Sequence, residues 1–192
     1  MKRCRLALLA YGVCLALGWP QTSFSQSTWE PFDGVTKLVA WFTKLNEQFD
    51  QVVVAEKRGQ LIRKVDRMRK DLYLLEADTR ILQDSIPTQA PTAEQRAHLE
   101  QLASELMRSV EQLSGSAREV GADLRLNDAN DVERALTHGL RTRGIVLSNF
   151  QKALAEPAAT WNAPDLRKML AQGLKAVQEA QLAVTAFRKK LG

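Results

Sequence analysis

Cysteine is almost missing from this chain. Its 192 residues contain 2, Cys4 and Cys14, both within the first twenty-five positions. If that segment is removed, no thiol nucleophile, Cys-metal site or disulfide can form, and stability has to come from packing alone. Histidine is as scarce, with His98 and His138 only. No Glu-x-x-His occurs, which the carboxylate-bridged metal sites of helical bundles require on two helices. Also missing are the Gly-x-Ser-x-Gly elbow, the phosphate loop and the zinc-protease motif. Two-residue apolar alternation is nearly absent, so strands are not expected. Long apolar runs are lacking too: Leu6 to Leu17 is too short for a comfortable bilayer anchor.

What the first twenty-five residues do carry is the three-part pattern of a secretory signal peptide. Lys2, Arg3 and Arg5 form a basic head, Leu6–Leu17 an apolar middle, and Ser23 and Ser25 stand at the small-residue positions of a cleavage site. Cys14 lies inside the apolar stretch after Tyr11-Gly12-Val13, not where a lipid-anchoring cysteine would follow it. Cleavage near Ser25/Gln26 is therefore expected, with residues 1–25 as signal and 26–192 as one domain, periplasmic or secreted. Removing 25 of 192 residues leaves 167, a single-core length. Three basic residues leave and no acidic one, so the formal charge falls from +5 to +2. A nearly neutral exported chain gives no case for a nucleic-acid partner.

Prolines mark the breaks. Pro87/Pro91 and Pro157/Pro164 bracket two connections between segments of three-four periodicity. Val35, Leu38, Phe42, Leu45, Phe49 and Val52 form one stripe; Leu61, Val65, Met68, Leu72, Leu75, Leu82 and Ile86 form the next, with Thr79 in its polar slot. The two stripes are out of phase across Glu56–Gly59, which predicts a kink or short break, one long bent helix being the alternative. Thr92 and Gln95 fit a capping box before Leu99, Leu102, Leu106, Val110, Leu113, Ala117, Val120 and Leu124. Val132, Leu136, Leu140, Leu147, Phe150 and Leu154 make a third long stripe. Leu166, Leu170, Leu174, Val177, Gln181, Val184 and Leu191, with Phe187 beside them, make a fourth. Pro164 and Asp165 suit that last helix's first turn and Arg188-Lys189-Lys190 its last. The predicted fold is all-α: an up-down antiparallel bundle of four long helices at 60–86, 92–125, 130–156 and 164–191, plus an aromatic-rich helix at 33–55.

Each chemical candidate has a structural reading beside it. Glu94 and His98 share a face four residues apart, but a lone exposed pair is ordinary surface. The stretch His138–Gly144 holds two glycines that weaken a helix interior. It reads as a close approach under a bulky neighbour such as Trp161, or as a small-residue patch with Arg141 and Arg143 placed for an anion. Arg63, Lys64, Arg67, Arg69 and Lys70 form a basic block interrupted by Asp66: a solvated face with local ion pairs, or a polyanion patch. The sharpest signal is aromatic. Trp29, Phe32, Trp41, Phe42 and Phe49 fall within twenty-one residues. They either dock the first helix as core or present an apolar surface to a partner protein or a membrane.

Thr92-Ala93-Glu94-Gln95 resembles the Thr-x-x-Gln motif of small periplasmic helical chaperones. It departs from that family in having Pro91 where leucine precedes the threonine, in having no second copy, and in being accounted for by a helix cap. No membership is drawn from it. The function expected is that of a non-catalytic, exported interaction module (adaptor, accessory or inhibitor) that binds another protein, with no cofactor and no metal. The candidate contact residues are Trp29, Phe32, Trp41, Phe42, Phe49, Arg141 and Arg143. The alternative is a chaperone-like or membrane-surface protein using the apolar face of helix 33–55. The oligomeric state is left open.

Overall fold

The structure is a computed structural model and describes residues 30–125, Leu154 and residues 161–192. It is an all-α helical bundle: α1 Glu30–Glu47, the single turn α2 Phe49–Val52, α3 Arg58–Ser85, α4 Ala93–Gly121 and α5 Ala163–Leu191, with a 3-10 turn at Ala55–Lys57 before α3. The helix expected at 130–156, with His138, Gly139, Arg141, Arg143 and Gly144, lies outside the described residues except for Leu154, which is helical and buried.

Interhelical contacts fix the directions. Along α3 the residues 64, 67, 71 and 78 rise while their partners Asp123, Glu119, Ser116 and Ser109 fall, so α3 and α4 are antiparallel. Arg58, Asp66, Glu76 and Gln83 likewise meet α5 at Leu191, Arg188, Gln178 and Arg167, again antiparallel. By contrast α1 and α5 run parallel: Phe32 lies over Gly173, and Phe42 and Phe49 lie against Phe187. The described helices thus follow the order α1, α5, α3, α4 across the bundle.

Most members of the expected stripes that fall among the described residues are buried in the core. On α3 every stripe residue from Leu61 to Ile86 is buried, Thr79 included, its hydroxyl donating to the Leu75 carbonyl at 2.6 Å. That local bond satisfies the one polar group in the row, so the slot costs little. The capping box at Thr92 forms: the Gln95 amide donates to the Thr92 hydroxyl at 3.3 Å, and the Thr92 amide donates to Gln95 Oε1 at 2.9 Å. Pro164 sits in the first turn of α5, where Asn162 is the cap and accepts from the Asp165 amide at 3.2 Å.

Two expectations are corrected. The aromatic helix does not continue to residue 55. It ends at Glu47, and after one further turn the chain is extended at Val53 and Val54, with ψ of 122° and 121°. The break lies upstream of Gly59, which is in the first turn of α3 with open space around it. The cause is non-local. Val53 bridges Leu124 and the Arg125 amide donates to the Val52 carbonyl at 3.1 Å, so the end of α4 gives this strand-like segment the backbone partner that a helix would have supplied. On α5 the buried row is Leu166, Leu170, Gly173, Val177, Ala180, Val184, Phe187 and Leu191, whereas Leu174 and Gln181 are half-buried. The buried row runs through the small residues Gly173 and Ala180 in place of Leu174 and Gln181, and Phe32 of α1 lies over Gly173.

Helix ends are closed by neighbours. Arg58 donates to the Leu191 and Lys190 carbonyls at 2.6 and 3.0 Å, and Lys190 reaches the Asn46 carbonyl at 2.5 Å. Cations therefore sit on the negative ends of both α5 and α1. At the other end of the bundle, Trp161 Nε1 and Arg167 donate to the Pro87 and Ile86 carbonyls where α3 stops. The C-terminal ends of α1, α3 and α5 thus lie against neighbouring segments.

Candidate interaction surfaces

The aromatic residues of α1 are core. Phe32, Trp41 and Phe42 are buried, and Phe49 is half-buried. Trp41 stands edge-on to Phe42 with centroids 5.0 Å apart, Phe42 to Phe187 at 5.5 Å, and Phe49 to Phe187 at 5.6 Å. Such edge-to-face contacts add about 0.5–1.5 kcal/mol each beyond the area they bury. A stripe at helical spacing fits a core or a docking face equally well. Here the parallel face of α5 takes it, so Phe32, Trp41 and Phe42 offer no exposed surface, and Phe49 on α2 keeps only part of its ring in solvent. Trp29, Arg141 and Arg143, the other candidate contact residues, lie outside the described residues.

Three members of the basic block of α3, Lys64, Arg67 and Arg69, are ion-paired. Lys64 holds the buried Asp123 at 2.5 Å, joined by Lys57 at 3.6 Å. Arg67 binds Glu119 through both carboxylate oxygens at 2.7 and 2.9 Å. Arg69 and Arg188 share Asp66 at 3.5 and 2.9 Å. Pairs with exposed members contribute little to stability; their main effect is to set register. Within the α3–α4 seam, Ser109 donates to Asp78 and Ser116 to Asp71, so polar contacts join the middle of α3 to the C-terminal half of α4. Glu94 and His98 are both exposed on the first turns of α4. Among the described residues no group of three or more His, Cys, Asp or Glu side chains could hold a metal ion. Nor is any described helix long and apolar enough to cross a membrane.

Among the described residues Glu76 is the one carboxyl with a resolved shift. The Arg80 guanidinium, donating at 2.7 and 3.1 Å, holds it below the ordinary 4.5; Gln181 and Gln178 from α5 add to this, and burial opposes it. A depressed carboxyl stabilises the fold fully above its unfolded value and loses that contribution as pH falls through the folded value. Glu76→Gln should therefore cost about 1 kcal/mol at neutral pH, with the deficit shrinking as pH drops below 4.5 in urea titrations. A deficit independent of pH would show that the charge is not what matters.

Sequence reasoning missed the large apolar side chains left in solvent. Tyr73, Leu74 and Ile81 on α3 are 53%, 51% and 50% exposed, and Leu182 on α5 is 72% exposed. Gln181 donates to the Leu72 carbonyl at 3.3 Å, so Tyr73 and Leu182 lie at one level across the α3–α5 seam. These residues fall off the core stripes, which is why the stripe reading passed over them. Compared with protein-family models, curated proteins and solved structures, the chain matches none.

Proposed function

We propose that this chain is an exported, non-catalytic helical-bundle protein that acts by contacting another protein, as an adaptor, accessory or inhibitor in the cell envelope or outside the cell. The observation that carries this reading is the exposed apolar set Tyr73, Leu74, Ile81 and Leu182, gathered on α3 and α5 while the aliphatic stripes are buried. Single exposed apolar residues are ordinary; several on adjacent helices make a contact surface. The aromatic face of α1, which a chaperone-like or membrane-surface role would use, is already covered by α5. That role would need α1 to detach, whereas the outer surface of α3 and α5 needs no rearrangement.

Export rests on the sequence of residues 1–25, with its basic head Lys2, Arg3 and Arg5, its apolar stretch Leu6–Leu17 and the small residues Ser23 and Ser25 before the expected cut at Ser25/Gln26. Mass spectrometry of the protein from its native cell should find a chain starting near Gln26 in the envelope or medium; the uncut chain in the cytoplasm would overturn the export reading. For binding, the protein and its Leu182→Glu variant are used as paired baits on an envelope extract. A partner retained by the first at stoichiometric yield and lost from the second is the expected result. Identical captures would sink the proposed surface.

A further inference from the structure

Opposite its core stripe, α3 carries a second one. Lys70, Leu74, Ala77, Ile81 and Asp84 recur at alternating steps of four and three, and all are exposed. That spacing is the seam spacing of packed helices. Its composition is ordered about the middle: a small residue at the centre, an aliphatic on either side, and opposite charges at the two ends. Lys64, Arg67, Arg69 and Arg80 of the same helix are all ion-paired. The side chains of Lys70 and Asp84 are in no ion pair or hydrogen bond among the described residues.

We propose that this stripe is the seam of a two-fold symmetric dimer in which α3 packs antiparallel on α3 of a second copy, crossing at Ala77. A two-fold interface must be complementary to itself, and this stripe is. Rotation by half a turn about Ala77 sets Leu74 against Ile81 of the partner copy and Lys70 against its Asp84, each pairing occurring twice. Alanine at the crossing lets the two backbones approach to the 8–10 Å typical of packed helices. The charges choose the direction. A parallel seam would set Lys70 on Lys70 and Asp84 on Asp84, whereas the antiparallel one joins unlike charges at both ends. With four aliphatic side chains at its centre the interface is small, so the dimer is reversible and concentration-dependent.

This inference rests on the proposed function only in taking the outer face of α3 as a contact surface; it assigns Leu74 and Ile81 to the second copy and leaves Leu182 to the heterologous partner. Sedimentation equilibrium on the purified protein, over a roughly hundred-fold concentration range, should show a monomer–dimer equilibrium. Ile81→Glu should weaken it by about tenfold or more, with helical content by circular dichroism unchanged because the site is half exposed. Lys70→Asp and Asp84→Lys should each weaken it severalfold, and the two together should restore it, which only an antiparallel seam allows. A protein monomeric throughout, or a dimer indifferent to Ile81→Glu and to the charge exchange, overturns the proposal. A monomer that still captures a partner through Leu182 rejects the dimer and keeps the proposed function. A dimer that captures nothing keeps the dimer and rejects that function.

Discussion

Phe187→Ala is expected to lower the free energy of unfolding by about 3–5 kcal/mol. Phe187 is fully buried near the end of α5 and is the ring on which Phe42 and Phe49 both lean, at 5.5 and 5.6 Å. It is the only member of the aromatic cluster contributed by α5, so it joins α1 and α2 to the rest of the bundle. Truncation removes its transfer free energy, leaves a cavity, and deletes two edge-to-face contacts together. Since domains of this size are stable by about 5–15 kcal/mol in total, the variant should be close to unfolding at 37 °C. Urea denaturation measures it, with Leu182→Ala as the matched control on the same helix. That residue is 72% exposed, and its loss should stay within about 0.5 kcal/mol. A Phe187→Ala cost below about 1 kcal/mol would mean that the rings do not form a packed core. The same cluster makes removal of residues 30–52 uninformative about function. Such removal would uncover the α1-facing row of α5 and give an aggregating protein whatever the aromatic helix does.

Legibility in the sequence followed the range of the interactions. The α3 and α4 stripes could be read because one apolar row at three-four spacing has one use, and every member from Leu61 to Ile86 went where its spacing placed it. The Thr92 cap was equally readable, being closed by residues three apart. Reading failed where a distant segment decided the outcome. The phase slip before α3 was visible. Its break moved to Val53 and Val54 because Leu124, seventy-one residues after Val53, supplies the pairing. On α5, Leu174 and Gln181 kept the spacing on paper, yet Gln181 is turned to the seam by Glu76 and the Leu72 carbonyl, and the row closes through Gly173 and Ala180 instead. Neither small residue carries hydrophobic weight, so no count of leucines reveals them. For Phe32, Trp41 and Phe42, core and docking face share one periodicity, and only the position of α5 separates them. The outer row of α3 was the opposite case. Its signal, Leu74 to Ile81 across Ala77, was local and readable, and was overlooked because the helix already had a stripe to bury.

Gly173→Leu puts the α1–α5 contact to its most direct test, and it should cost about 2–3 kcal/mol. A Cβ at Gly173 would stand 2.3, 2.4 and 2.5 Å from three ring carbons of Phe32, far inside van der Waals contact. Phe32 is itself buried, at 5% exposure, so its ring cannot swing aside without leaving the core. Helix propensity pulls the other way, since replacing glycine in a helix interior gains up to about 1 kcal/mol. That gain can be measured separately at Gly115, which lies in α4 and has no atom within 4 Å of its would-be Cβ. Gly115→Ala should therefore stabilise the protein by about 0.5–1 kcal/mol, and a net loss at Gly173 is a packing term that exceeds it. The ring's part in that term is isolated by Phe32→Ala. If Phe32 occupies the space above Gly173, removing it makes room for the leucine, and the double variant should be more stable than the two single losses added together by at least about 1 kcal/mol. Additive losses would mean that the ring is not seated over Gly173 and that the start of α1 is held by something else.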